Sequence, residues 1–406
     1  MKRVRLLAVL LLFAMLFSAC GEKMYDVVLY CTWDEVMHSG TAFRVKGLYG
    51  KSPEELSTRE RVWENTGTGF YSYLETDLYL FFREGPGVPF VYDKGSGNIA
   101  FACRDSLCSH NDCIWVRAGT QVYAGGDMLF FYVKDEATIY VGDKYGENLR
   151  ALYTSKGSFF SSLSRVGDYL YVLEDKQVVE EADDWIRSAC QWIRIPVNGG
   201  EPELLEDVAQ FSVNFLPTDQ FYLYYRDGRY VVYDRRAKSG FTLPENAYAK
   251  ALYGEWLYYM ELIGDWEPGK PSTLCRVSVT DGSVRESLFT CTEDMTLLFS
   301  EEQIYILEKT PYSRSYDFGT YYEWKLYTAD LQGKNKLLRM TFETDGIPDR
   351  IEELRVDGNL LYLRYRSYLD FQNEFCPVGS TGETHTMLVD LSDGRRILFG
   401  KEKGGV

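Results

Sequence analysis

The chain has 406 residues, a formal net charge of −16 and an aromatic content of 16%, and 32 of its residues are tyrosines. An acidic surface of this kind repels phosphates, which argues against nucleic acids and anionic headgroups as direct ligands and leaves cations, basic proteins and neutral glycans. The tyrosine content favours strands over helices or disorder.

The first twenty residues have the pattern of a lipoprotein leader. Lys2, Arg3 and Arg5 precede an apolar run, 6–17, that is too short to span a membrane as a helix. The following Phe17-Ser18-Ala19-Cys20-Gly21 resembles the lipobox of bacterial lipoproteins, although Phe17 stands where leucine is usual. The resemblance implies a signal peptide over 1–19, lipid attachment at Cys20, and a location on the extracytoplasmic face of a cell membrane. An ordinary signal peptide, cut nearby, is the alternative.

The segment 20–68 carries extra elements before the main pattern begins. Strand-like runs lie at 26–32 and 42–48. Ser52-Pro53-Glu54-Glu55 combines a capping box with proline at the first helical position, which predicts a short helix over 53–64.

The rest of the chain repeats one pattern with a period of about 47 residues, which is typical of propeller blades. In each copy an acidic or amide residue precedes a run of tyrosines and aliphatics, and a second such run ends in a Gly/Asp turn. The first runs begin at Asp77, Asp127, Asp168, Gln220, Glu255, Glu302 and Asn359.

Four strands can be counted in each copy. We therefore predict an all-β fold, a β-propeller of seven four-stranded blades over 69–402, with 403–406 as a tail. Because 20–68 contains additional strand-like runs, six or eight blades are the alternatives. A tyrosine-rich β-sandwich is another alternative. It is disfavoured because that fold gives no reason for the two runs to recur together, in the same order, seven times along the chain.

The blade pattern resembles that of the TolB-like and related uncharacterised propeller lipoproteins of Gram-positive bacteria. The best matches are Gly167-Asp168-Tyr169-Leu170-Tyr171 and the stretch from Trp324 to Gly333. The resemblance covers the repeats and implies an architecture, but it carries no catalytic residue.

One local cluster contains reactive side chains, namely Cys103, Cys108, His110 and Cys113. Three thiols and an imidazole are suitable ligands for a structural zinc ion, but the cluster lacks paired Cys-x2-Cys knuckles. Outside the cytoplasm a disulfide within the cluster is the favoured interpretation, and free thiols are the third. We expect no other cofactor.

The connections between the second and third strands are long in four copies, at 174–190, 261–273, 308–323 and 365–384. Long connections on a rigid scaffold often bind ligands, and aromatic side chains can stack on sugars or anchor proteins. The alternative is that these aromatic residues only cover the blades. The candidate binding residues are Trp185, Trp266, Tyr312, Tyr316, Tyr321, Tyr322, Tyr368 and Phe371.

These patterns predict a monomeric, membrane-anchored binding or scaffold module for a protein or cell-surface ligand. The alternative is an extracytoplasmic carbohydrate-binding protein or carbohydrate-active enzyme. Enzyme activity is the less favoured prediction, because the sequence contains no Gly-x-Ser-x-Gly, P-loop or His-Glu-x-x-His motif.

Overall fold

A computed structural model defines the fold. It describes residues 28–31, 44–45, 63–64, 73–75, 78–82, 88–105, 107–111, 113–117, 120–155, 158–179, 186–205, 216–218, 220–262, 271–292, 295–300, 302–316, 319–342, 348–367 and 383–399. The predicted leader, Cys20 and the 403–406 tail lie outside these residues.

The described residues form strands almost throughout. The first of them, in chain order, are β1 (Val28–Cys31), β2 (Trp63–Glu64), β3 (Tyr73–Glu75), β4 (Tyr79–Phe82), β5 (Phe90–Asp93), β6 (Ile99–Phe101), β7 (Thr120–Gly125), β8 (Met128–Val133), β9 (Thr138–Asp143), β10 (Arg150–Thr154), β11 (Ser158–Val166), β12 (Tyr169–Val179), β13 (Ile186–Pro196) and β14 (Glu203–Leu204). A single 3-10 turn, Lys134–Glu136, lies between β8 and β9.

The remaining strands are β15 (Leu216–Pro217), β16 (Phe221–Arg226), β17 (Arg229–Asp234), β18 (Ser239–Thr242), β19 (Ala247–Tyr253), β20 (Trp256–Leu262), β21 (Ser272–Ser278), β22 (Arg285–Cys291), β23 (Met295–Phe299), β24 (Gln303–Tyr316), β25 (Gly319–Asp330), β26 (Leu337–Phe342), β27 (Pro348–Asp357), β28 (Leu360–Ser367), β29 (Glu383–Asp390) and β30 (Arg396–Phe399). Within the described residues, no helix is both long and apolar enough to cross a membrane.

The strands form seven antiparallel blades of four consecutive strands each, from β3–β6 in blade 1 to β27–β30 in blade 7. First strands of successive blades contact one another, as β3 contacts β7 and β7 contacts β11, so the first strands surround the central channel. The predicted all-β propeller is confirmed, and seven is the correct number of blades.

Side chains of the second strands alternate between two neighbouring blades. In β8, Leu129 and Phe131 pack toward blade 1, whereas Phe130 and Tyr132 pack toward blade 3. Both faces of a blade are therefore buried, which explains why these strands read as continuous apolar runs. Seven clusters of buried side chains join the blades in pairs, from blades 1 and 2 around to blades 7 and 1.

The ring closes between blades 7 and 1. Tyr92 of blade 1 is fully buried in the same cluster as Phe399 of blade 7. Val45, from the segment before the first blade, packs into this cluster as well. Beside it, Lys94 Nζ lies 2.5 Å from Asp357 Oδ2, and the lysine side chain is only 2% exposed.

The N-terminal segment contributes one strand to the outside of the ring and one strand to its inside. β1 pairs in parallel with β30, so the predicted strand at 26–32 extends the outer edge of blade 7. β2 pairs with β19, the innermost strand of blade 5. The helix predicted over 53–64 is therefore wrong at Trp63–Glu64, because the inner edge of β19 offers backbone groups that only an extended segment can pair with. Residues 53–62 lie outside the described part.

The turns between third and fourth strands share one set of hydrogen bonds. Asp93 Oδ1 accepts bonds from the backbone N–H groups of Gly95 and Ser96, both at 2.9 Å. Lys94 N–H donates to Leu78 C=O at 3.0 Å, which joins this turn to the one before the second strand. Equivalent backbone bonds join Val197 to Asp168, Arg235 to Gln220, Val279 to Glu255 and Leu391 to Asn359.

These bonds define two faces of the propeller. We call the side that carries the turns between third and fourth strands, such as 391–395 in blade 7, the turn face. The opposite side, which carries the connections between second and third strands and those between blades, is the loop face.

Two of the four predicted long loops are extended hairpins. In blade 3 the pairing of β12 with β13 continues to Val179 and Ile186. In blade 6 the pairing of β24 with β25 continues to Tyr316 and Gly319. The register shifts after Pro311, where a missing N–H interrupts the ladder without ending it. The other two loops also begin and end as strand, and their central residues lie outside the described part.

The Lys94–Asp357 pair gives a test of ring closure. Substituting Lys94→Ala removes the buried cation paired with the mostly buried Asp357 carboxylate, and we expect a loss of about 3 kcal/mol in the free energy of unfolding, measured by urea titration. The control Arg226→Ala removes a largely exposed partner of Asp227 and is expected to cost below about 0.5 kcal/mol. Equal losses in the two variants would contradict the proposed closure.

Candidate functional site

The cysteine-containing segment lies in the groove between blades 1 and 2. It follows β6 and is held by Trp115, which is 3% exposed. The indole stacks on Phe81 of blade 1 with ring centroids 5.3 Å apart and meets Phe131 of blade 2 edge-on at 5.0 Å. Sequence reasoning did not identify Trp115, although a tryptophan two residues after Cys113 was a visible signal. This anchor fixes the segment against both blades.

The turn that carries the cluster is organised by its own backbone. The N–H of Leu107 donates to Asp105 Oδ1 at 2.9 Å, and that of Cys108 donates to the Asp105 carbonyl at 3.1 Å. His110 has a left-handed backbone, with φ of 57°, and its N–H donates to Cys108 Sγ at 3.4 Å. These hydrogen bonds turn the backbone, so that side chains far apart along the segment lie close together in space.

The four predicted ligand residues do converge. The thiol sulfurs of Cys103, Cys108 and Cys113 and one imidazole nitrogen of His110 all lie within 4.8 Å of one another. All three cysteines are free thiols. A tetrahedral metal with thiolate ligands places its sulfurs about 3.8 Å apart, so this arrangement is close to a coordination shell.

Two further observations describe the environment of the cluster. The Nδ1 atom of His110 is buried and has no hydrogen-bond partner. Burial and the neighbouring thiols Cys108 and Cys113 raise the pKa of Cys103 to about 11. A cation would give the imidazole nitrogen a partner and would neutralise adjacent thiolates, so the cluster can hold a metal ion.

A cavity of about 450 Å³ adjoins the cluster. Arg104 forms one wall, with its guanidinium carbon 3.9 Å from the centroid of the Tyr145 ring. Arg117 forms another and pairs with Glu136 at 2.6 Å. Tyr145 lies in the β9–β10 turn of blade 2, whereas the His110 ring packs on Phe101 at the loop-face end of β6, with ring centroids 5.8 Å apart. The segment with its cavity therefore lies along the groove between blades 1 and 2.

The structure places four of the eight predicted aromatic binding residues. Tyr312 and Tyr316 lie on β24, and Tyr321 and Tyr322 lie on β25, so one hairpin brings all four together. Trp185, Trp266, Tyr368 and Phe371 lie outside the described residues.

The hairpin of β24 and β25 extends past the rest of blade 6. On one side, the pairing of β23 with β24 extends toward the hairpin tip only as far as Met295 opposite Glu308. On the other side, the pairing of β26 with β25 extends only as far as Phe342 opposite Trp324. Beyond these pairs, among the described residues, β24 and β25 pair only with each other. We call this part, 310–323, the ribbon; at 3.3 Å per residue, each of its strands is roughly 20 Å long.

Several other buried side chains of reactive types take part in hydrogen bonds or packing that support the blades. Glu174 is 2% exposed and accepts hydrogen bonds from Ser155 Oγ and Gln191 Nε2, both at 2.7 Å, which links blades 2 and 3. His385 is 4% exposed and packs on Tyr365. The free thiols of Cys275 and Cys291 are buried in blade 5.

Comparison with known proteins identifies a fold but no family. No family model matches the chain, and no curated protein matches it by sequence.

Solved structures do match. A prolyl endopeptidase has a TM-score of 0.53 and 11% identity, over 87% of this chain and 52% of that chain. The oligogalacturonate lyase VPA0088 of Vibrio parahaemolyticus has a TM-score of 0.47 and 11% identity, over 88% of this chain and 95% of that one. A putative TolB from Agrobacterium tumefaciens has a TM-score of 0.30 and 16% identity, over 53% and 77%.

The chain thus spans about half of the prolyl endopeptidase that it matches. At 11% identity this likeness shows a shared fold and nothing about activity. The strand pairing of the chain itself shows the β-propeller.

Proposed function

We propose that this protein is a monomeric, lipid-anchored propeller on the extracytoplasmic face of a cell membrane, where it binds a protein or another cell-surface ligand. The lipobox-like sequence at Cys20 supports the anchor, and the resemblance of the repeats to TolB-like propeller lipoproteins of Gram-positive bacteria agrees with it. The observation that carries the binding role is the ribbon of blade 6.

The ribbon is suited to contact another protein. A two-stranded extension without flanking strands has two edges, and an edge can add a strand from a partner by main-chain hydrogen bonding. Four tyrosines in 310–323 supply large side chains of the kind that dominate protein interfaces. A protein partner is therefore favoured over a glycan.

The channel supplies an argument against the alternative carbohydrate-active enzyme. A glycosidase in a propeller could place its two carboxylates around the central channel. Here the inner edge of β19 is paired with Trp63–Glu64, so the chain itself enters the channel beside blade 5. Surface binding at the loop face agrees better with this arrangement than channel chemistry does.

We further propose that the cluster of Cys103, Cys108, His110 and Cys113 binds zinc as a structural cofactor. Zinc prefers thiolate and imidazole ligands, and four protein ligands leave no open position for catalysis. The buried, unpartnered Nδ1 of His110 supports a bound ion. The bound zinc would hold the connection between blades 1 and 2 in place, and coordination would protect the thiols from oxidation.

Shortening the ribbon tests the binding role. Within the predicted loops 308–323 and 365–384, replacing 310–323 or, in a separate variant, 368–382 by a tight turn should leave the fold unchanged, because the buried clusters of the described residues contain none of these positions. Capture of the partner, measured by crosslinking and pull-down from intact cells, should be lost. The matched control is Gln332→Ala, an exposed position on the turn face, which should capture the partner as well as the unmodified protein does. Unchanged capture in both shortened variants would contradict the proposal.

The enzyme alternative makes a separate prediction. Incubated with a panel of polysaccharides, a binding module should release no reducing ends above a heat-treated sample. Sustained product release that persists in both shortened variants would favour a carbohydrate-active enzyme.

Metal analysis tests the cluster. The protein purified without chelators should contain stoichiometric zinc, and Cys108→Ser and His110→Ala should each lose most of it and melt at a lower temperature, because binding stabilises the folded state. The matched control Cys275→Ser removes a buried thiol outside the cluster and should retain zinc. A disulfide among Cys103, Cys108 and Cys113, seen by mass spectrometry of alkylated protein, would contradict the metal proposal.

A further inference from the structure

We propose that the protein sits with the turn face of blade 7 toward the lipid bilayer, so that the ribbon points away from the membrane. The inference rests on the proposed lipid attachment at Cys20. It adds a membrane-facing surface to the module and an orientation for its binding face.

The position of β1 locates the join between the N-terminal segment and the propeller. This strand lies outside β30 on the outer edge of blade 7, with Val28 opposite Arg396 and Cys31 opposite Phe399. It is the described strand nearest to Cys20 in sequence. The point where β1 begins therefore sets where a chain held at Cys20 joins the propeller.

The direction of β1 follows from its parallel pairing with β30. β30 starts at the turn 391–395, on the turn face, and runs toward the loop face. Because β1 is parallel to β30, Val28 lies at the turn-face end and Cys31 at the loop-face end. The chain from Cys20 thus reaches the propeller from the turn face, at its outer edge.

The segment from Cys20 to β1 can span a shorter distance than the strand that carries the ribbon. Eight residues lead from Cys20 to Val28, and at 3.3–3.6 Å per residue they reach at most about 29 Å. β24 runs from the turn face to the tip of the ribbon over 14 residues, which is roughly 46 Å at 3.3 Å per residue. A lipid held by this tether keeps the turn face of blade 7 close to the bilayer, and the tether is too short to extend along the side of the ring to the tip of the ribbon.

Energy transfer to a membrane dye tests the orientation. A donor dye is attached through an azide-bearing amino acid at Gln332 or at Thr292, which avoids the native cysteines. Both positions are exposed and lie beside blade 6, Gln332 on the turn face and Thr292 on the loop face. The full-length lipidated protein is placed in vesicles of neutral lipid that carry an acceptor dye. We expect higher transfer efficiency from Gln332 than from Thr292; equal transfer, or more from Thr292, overturns the orientation.

Two variants separate this inference from the anchor on which it rests. Cys20→Ser should abolish transfer from both positions and remove the lipid from the N-terminal peptide in mass spectrometry; an unmodified peptide already present in the parent protein would overturn the anchor and the orientation together. The double variant Leu29→Pro and Tyr30→Pro keeps the lipid but removes ladder donors of β1. It should reduce the difference between the two positions, and an unchanged difference would show that β1 does not set the orientation.

Discussion

The structure depends on the burial of both faces of every blade. A four-stranded sheet of short strands has two apolar faces, and no single blade contains a second layer to cover either. In β8 successive side chains pack toward opposite neighbours, so blade 2 requires blades 1 and 3. The same dependence applies around the ring, and it makes the contact between blades 7 and 1 as necessary as any other.

That requirement also explains where functional features can lie. The blade faces are occupied by packing, and blade 5 has its inner edge paired with β2. The features left for ligands are the loop face, which carries the ribbon, and the groove between blades 1 and 2, where Trp115 holds the cysteine cluster. Neither belongs to the repeated pattern, and both result from insertions into it.

Much of the fold could be predicted from the sequence, because the repeat encodes local rules. The acidic or amide residue before each second strand and the turn with Asp or Asn after each third strand encode hydrogen-bonded turns, such as the one capped by Asp93. The convergence of Cys103, Cys108, His110 and Cys113 followed from their closeness in sequence. The segment 308–323 was predicted as a long loop, whereas the pairing of β24 with β25 continues through it with a shift in register after Pro311. The strand at Trp63–Glu64 could not be predicted, since its partner β19 lies almost two hundred residues away and local capping signals favoured a helix.

Native-state hydrogen exchange of the second and third strands is the most direct test of the closed ring. If the blades stabilise one another around a complete circle, the buried strands β4 and β28, in blades 1 and 7, should be protected as strongly as β16 in blade 4. Much faster exchange in blades 1 and 7 than in blade 4 would mean that the ring is open at their contact, and it would contradict the account.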